Sequence, residues 1–197
     1  FQIEPGASWT LTGTLVVPKG VELIGNGNRA AGPTFRKGFD GPLARIASFT
    51  TIRSVYFDGD KDNHEGHGVV TKKGAREVET YRMSVRNNAG SGFVARTHYQ
   101  SRHVLGSFGG NDGYGVKHEM HHHTNLYWES CHVGDNGLGG VAYNSVDKNS
   151  VWENCVIIRN RGPGVVQDMS EEAAPDINKH NNGIRQVVFK DCAFMEN

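Results

Sequence analysis

The chain has 197 residues, enough for one elongated domain with a sizeable core. Lys plus Arg and Asp plus Glu each total 21, so the formal net charge is zero and bulk charge gives no support to a nucleic-acid partner. No stretch is apolar for long enough to span a membrane. Glycine, at 26 residues, fits a chain dense in turns.

In chain order, residues 1–44 read as entry coils with a side loop. Short strands are expected over residues 9–15 and 21–27, joined by the turn Pro18-Lys19-Gly20. Residues 28–44 are rich in Gly and Pro and read as a loop on the side of the fold. Residues 45–166 carry a regular repeat. Residues 167–184 read as an insertion, with a short helix over 170–174 ended by Pro175. Residues 185–197 begin a further coil. The chain opens at Phe1, without methionine or signal peptide, and stops where a glycine pair should follow Asn197; a fragment of a longer helix is expected.

The repeat is the dominant signal. Glycine-containing turns recur as Gly90-Ser91-Gly92-Phe93, Gly113-Tyr114-Gly115-Val116, Gly139-Gly140-Val141 and Gly162-Pro163-Gly164-Val165. Four residues before the second glycine stands an asparagine: Asn88, Asn111, Asn136 and Asn160, with Asn197 continuing the series. Seven residues before it stand Val85, Phe108, Val133 and Ile157; nine before stand Met83, Gly106, Cys131 and Cys155. Apolar residues two apart define the buried face of a strand. A period near 24 residues is the mark of a solenoid. Asparagine tolerates the left-handed backbone region and so suits a tight turn, and stacked amides can bond from rung to rung. The predicted fold is all-β: a right-handed single-stranded parallel β-helix in coils of about 24 residues. The cysteines Cys131, Cys155 and Cys192 share one column and read as small core residues, a disulfide between rungs being awkward. Trp128 and Trp152 share another column, continued by Phe189, and read as core packing.

Chemistry is expected beside the glycines. Four residues after the second glycine stand Lys72, Arg96, Glu119, Asn144 and Asp168, polar at every rung. This column reads either as a solvated ladder of charges or as a groove for a linear polymer. Glu119 and Asp168 lie two rungs apart, about 9–10 Å at the usual strand spacing, near the upper separation for an inverting glycosidase. They are the candidate catalytic carboxylates. Around them cluster Tyr114, Lys117, His118, His121, His122 and His123, and histidine moves protons near neutral pH. His118 and Tyr114 are candidate base and acid. Lys72, Arg96, Lys117, Tyr143 and Asn144 are candidate substrate contacts. No fixed-spacing ligand set supports a metal site. The run Asp58-Gly59-Asp60-Lys61-Asp62-Asn63 has acids spaced as in a calcium loop but lacks the later bidentate acid at the required position, though Glu65 is near; it reads as a turn and no cofactor is expected, with calcium as the alternative.

The opening Val17-Pro18-Lys19-Gly20-Val21-Glu22-Leu23-Ile24-Gly25-Asn26-Gly27, and Ile52-Arg53-Ser54-Val55-Tyr56-Phe57-Asp58-Gly59, resemble coils of the pectate-lyase-like superfamily of right-handed parallel β-helices. Two branches are similar. Phage tailspikes and capsule depolymerases have this kind of entry. That resemblance implies a homotrimer, outside the cell or on a virion surface, that binds and cuts a polysaccharide. Alginate C5-epimerases have coils like Asp135-Asn136-Gly137-Leu138-Gly139-Gly140-Val141 and Val151-Trp152-Glu153-Asn154. Their catalytic strand reads Tyr-Gly-Phe-Asp-Pro-His-acid, and Tyr114-Gly115-Val116-Lys117-His118-Glu119 is similar to it without the Asp-Pro. That resemblance implies a uronate epimerase or lyase. A third reading is a non-catalytic structural or glycan-binding segment.

Overall fold

The computed structural model describes residues 2–26, 32–96, 99–167 and 185–197. Among these the chain is all β, wound into a right-handed parallel β-helix with three faces. Face one stacks β3 (Leu15–Val17), β6 (Ala44–Ile46), β9 (Val69–Thr71) and β12 (Phe93–Arg96), then the first halves of β15 (Tyr114–Glu129) and β17 (Gly139–Glu153), then β19 (Val165–Gln167). Face two stacks β1 (Gln2–Ile3), β4 (Glu22–Gly25), β7 (Thr51–Arg53), β10 (Glu79–Tyr81) and β13 (Tyr99–Val104), then the second halves of β15 and β17, then β20 (Arg185–Lys190). Face three stacks β2 (Ser8–Leu11), β5 (Thr34–Lys37), β8 (Tyr56–Asp58), β11 (Ser84–Arg86), β14 (Ser107–Gly109), β16 (His132–Gly134), β18 (Val156–Ile158) and β21 (Ala193–Met195). The long strands β15 and β17 run round the corner between faces one and two and join them into a single sheet.

The columns read from the sequence are the ladders of the fold. Val85 pairs with Phe108, Phe108 with Val133, Val133 with Ile157 and Ile157 with Phe194. The first four are fully buried. Trp128 and Trp152 stack at 4.6 Å with an interplanar angle of 3°, and Phe189 follows at 6.0 Å. Cys131 and Cys155 are buried, Cys192 is partly so, and all three thiols are free.

The asparagine column forms the expected rung-to-rung amide ladder but does not supply the left-handed residue of the turn. The left-handed residue at that corner is the one before each ladder member: Asn87, Gly110, Asp135, Arg159 and Glu196. The ladder asparagine instead bonds along the stack. Asn88, Asn111, Asn136 and Asn160 donate through Nδ2 to the next Oδ1 at 2.8, 2.9, 2.9 and 2.7 Å. Each acceptor also takes the backbone N–H of the same donor residue, at 3.1 to 3.3 Å. A short amide turned inward at a corner is therefore selected by its hydrogen bonds rather than by its backbone preference.

The other two corners also carry left-handed residues. Ser54, Arg82, Leu105, Ser130, Asn154 and Asp191 lead into face three; Phe49, Glu77, Gln100, Asn125 and Asn149 lead into face two. Across all three corners these φ values lie between 48° and 69°. The conserved turn geometry explains why each rung closes in nearly the same number of residues.

The stretch 28–44, expected as a side loop, supplies β5 over Thr34–Lys37. Phe35 alternates inward and stacks between Trp9 at 5.4 Å and Phe57 at 5.8 Å, which draws the segment into face three. Of the insertion expected over 167–184, Gln167 ends β19 and the rest, with the helix expected over 170–174, lies outside the described residues.

Candidate functional site

The site is built on the outward side of face one. In each strand Val69, Phe93, Val116 and Val141 point into the core, so the next residue along points out. Parallel registration then stacks Arg96 beside Glu119, and Glu119 beside Asn144. Lys72 follows β9 directly and is exposed. The side chain of Asn144 and the whole of Asp168 lie outside the described residues.

Glu119 is the centre of the cluster. One carboxylate oxygen meets Arg96 Nε at 3.1 Å and the other meets Lys117 Nζ at 2.8 Å. Burial pushes its pKa up, but the Lys117 hydrogen bond and the charges of Lys117 and Arg96 outweigh it and hold the carboxyl below its ordinary value. Glu119 is therefore a carboxylate and not a proton donor near neutral pH. Lys117 is one residue outside the polar ladder, on the same outward side, so it reaches Glu119 within its own strand.

His67 completes the cluster, and the sequence reading passed over it. Its Nδ1 accepts the Ser91 backbone N–H at 2.9 Å. That bond leaves the proton of a neutral ring on Nε2. Burial lowers the His67 pKa; Glu119 opposes this, while Lys117, Arg96 and Lys37 add to it. The signal was present in Gly66-His67-Gly68, where His67 occupies the same slot between glycines as Ser91 and Tyr114. Ser91 Oγ in turn accepts the Tyr114 N–H at 3.2 Å, tying the three slots together. Lys37 supports the loop from beneath: it is fully buried and donates to the carbonyls of Glu65 and His67 at 3.2 and 3.3 Å.

Two expected site residues face the other way. His118 is fully buried, its ring 5.0 Å from His123 and 4.7 Å from Tyr143. Tyr143 is also fully buried, and its hydroxyl accepts Trp152 Nε1–H at 2.7 Å. The reason is the strand period of two. The epimerase-like pattern has two residues between its Phe and its His, whereas a single residue, Lys117, separates Val116 from His118. One residue fewer turns the histidine from the outer face to the core. His118 as a solvent-facing base and Tyr143 as a substrate contact are thus both corrected. Tyr114 remains half-buried at the rim.

The acidic turn at 58–63 is held by its own bonds. Asp58 Oδ1 accepts the Asp60 N–H at 3.3 Å and Asn87 Nδ2 at 3.3 Å, and Asn63 Nδ2 donates to Asp60 at 3.0 Å.

No protein-family model matches the chain, and no curated protein sequence matches it. Solved structures do. The ORF18 protein of Geobacillus virus E2 superposes with a TM-score of 0.70 at 14% identity, over 97% of this chain and 40% of that one. The A-module of the mannuronan C-5 epimerase AlgE4 from Azotobacter vinelandii superposes with a TM-score of 0.55 at 18% identity, over 97% of this chain and 67% of that one. The enzymatically active domain of tailspike protein 2 from bacteriophage CBA120 reaches a TM-score of only 0.32 at 12% identity, which carries no weight. This chain thus spans well under half of the viral protein and about two thirds of the epimerase module. The likeness is one of fold: a right-handed parallel β-helix.

Proposed function

We propose that this chain is a carbohydrate-active β-helix that binds an extracellular polysaccharide along face one and cleaves it at the Glu119 cluster. The convergence of Arg96 and Lys117 on Glu119 beside His67 carries the reading. An extended sugar chain lying along the helix axis crosses one strand about every 4.8 Å, so successive rungs meet successive parts of it. Two cations on one face favour units bearing a carboxylate. Glu119, held ionised, is suited to take a proton from an attacking water, and His67 Nε2–H to bond a sugar oxygen. Asp168, two rungs along by sequence count, is the proposed proton donor. The setting proposed with it is a homotrimer at a virion surface or otherwise outside the cell, and this rests on resemblance to tailspikes alone.

A second reading has its own observation. Because Glu119 is already neutralised by two cations, the cluster also fits a glycan-binding surface that does no chemistry. The epimerase reading is weakened by the inward turn of His118.

The test is to incubate the protein with acidic and neutral polysaccharides. Reducing ends, absorbance of unsaturated uronates and uronate NMR are then followed together. New reducing ends without absorbance support hydrolysis; absorbance supports a lyase; an NMR change alone supports an epimerase. Loss of cleavage in Glu119→Gln is expected. Unchanged cleavage in Glu119→Gln would place the site elsewhere, and binding without cleavage would leave the second reading.

A further inference from the structure

Face two carries an outward ladder of charges, and its pairing is interrupted at one rung. Arg53 on β7 reaches back to Glu22 at 3.2 Å. Arg102 on β13 reaches forward to Glu129 at 2.6 Å. Between them lies β10, where Glu79 is registered with Thr51 on one side and with Arg102 on the other. Arg102 donates to Glu129 and also feels the charge of Glu79, while Arg53, registered with Tyr81, donates to Glu22. Among the described residues the Glu79 carboxylate is in no salt bridge, with Thr51 beside it on one strand and Arg102 on the other.

The gap is a groove of about 210 Å³ lined by Thr51, Arg53, Glu79, Tyr81, Arg102 and Val104. Tyr81 forms one wall, and the Arg82 guanidinium stands over its ring at 5.2 Å. The groove spans three rungs, about 10 Å between the outer two strands, the length of one or two sugar rings.

We propose that this groove is a second carbohydrate subsite, separate from face one, that binds one or two units of a neutral glycan. An unpaired carboxylate accepts hydrogen bonds from two adjacent sugar hydroxyls. The remaining N–H groups of Arg53 and Arg102 donate to hydroxyl oxygens at either end. Tyr81 offers an aromatic surface to the apolar face of a sugar ring. An anionic unit is disfavoured by Glu79 at the centre, which separates this ligand from the acidic one proposed for face one. The inference shares only the general class of ligand with that proposal, and it stands or falls on different residues.

Saturation-transfer NMR and calorimetry of the intact chain test it, with cello-, malto-, manno- and xylo-oligosaccharides of four to six units as probes. Saturation transfer to at least one series is expected. Binding should weaken at least tenfold in Glu79→Gln and in Tyr81→Ala and stay unchanged in Arg36→Gln, an exposed position on face three outside both surfaces. Circular dichroism confirms that each variant is folded, and Thr51→Tyr, which fills the groove from another strand, should block binding as well. The proposal is overturned if no series binds, if binding survives these groove substitutions, or if Arg36→Gln removes it.

Discussion

At the scale of single residues, hydrogen-bond satisfaction decides what the core tolerates. Asn111 gives its Oδ1 to both Nδ2 and the backbone N–H of Asn88, and its own Nδ2 to Asn136. Asn111→Ala leaves the backbone N–H of Asn88 and one Nδ2–H of Asn88 without their acceptor, while Asn136 Oδ1 keeps the backbone N–H of residue 111. At about 1–3 kcal/mol for each orphaned group, less relaxation, we expect a loss of roughly 2–4 kcal/mol in urea unfolding. A loss below 1 kcal/mol would mean that the ladder is decorative. His103 sets a pH effect. It is fully buried, bonded to Thr80 at 3.0 Å and stacked on Trp128 at 4.0 Å. Burial, with a smaller contribution from His118, brings its pKa down to about 3. The unfolded chain therefore binds a proton below about 6.5 that the folded chain refuses until near 3. Stability should fall as pH drops through that window. His103→Phe should flatten this part of the pH–stability curve; an unchanged slope would show that His103 contributes nothing to it.

At the scale of the element, each coil is three short strands joined by left-handed corners. One corner column runs Ser54, Arg82, Leu105, Ser130, Asn154 and Asp191. Leu105 is the misfit: it has φ 55°, is 41% exposed and has no polar side chain to ease the turn. Non-glycine residues in this region carry strain of order 1 kcal/mol or more, least for Asn and Asp. Leu105→Asn should raise stability by about 0.5–1 kcal/mol in thermal unfolding, and a destabilised variant would refute the argument. The fold was legible at this scale because an element that repeats forces the same residue type into the same column. The corner chemistry was not, since the left-handed position accepts Ser, Arg, Leu, Asn and Asp alike. The candidate site was half legible. The polar ladder located Arg96 and Glu119, but the direction of His118 depended on one missing residue. His67 sat between two glycines in a slot that none of the sequence columns marked.

At the scale of the whole molecule, a solenoid is stabilised by contacts between neighbours, so its coils do not share protection equally. The cysteine column samples this directly. Cys131 and Cys155 are 1% exposed, whereas Cys192 is partly open on the last described rung. In the 197-residue chain, thiol labelling under native conditions should reach Cys192 at least tenfold faster than the other two. Equal rates would mean that the molecule opens as one unit.

The asparagine ladder also has a direction. Every amide-to-amide bond runs toward the later coil, while the Nδ2 groups of Asn136, Asn160 and Asn197 also donate back to the carbonyls of Phe108, Val133 and Ile157; among the described residues the buried Oδ1 of Asn88, at the start of the series, has no donor. The backbone N–H and one Nδ2–H of each ladder asparagine thus wait for an acceptor 23 to 25 residues further on, or 37 at the last step. At about 5–20 residues per second of synthesis, that delay is roughly one to five seconds for an ordinary coil. Winding on the ribosome is then vectorial. The newest coil is the one whose ladder donors lack their acceptors, and the wait is longest for Asn160, whose acceptor lies 37 residues on.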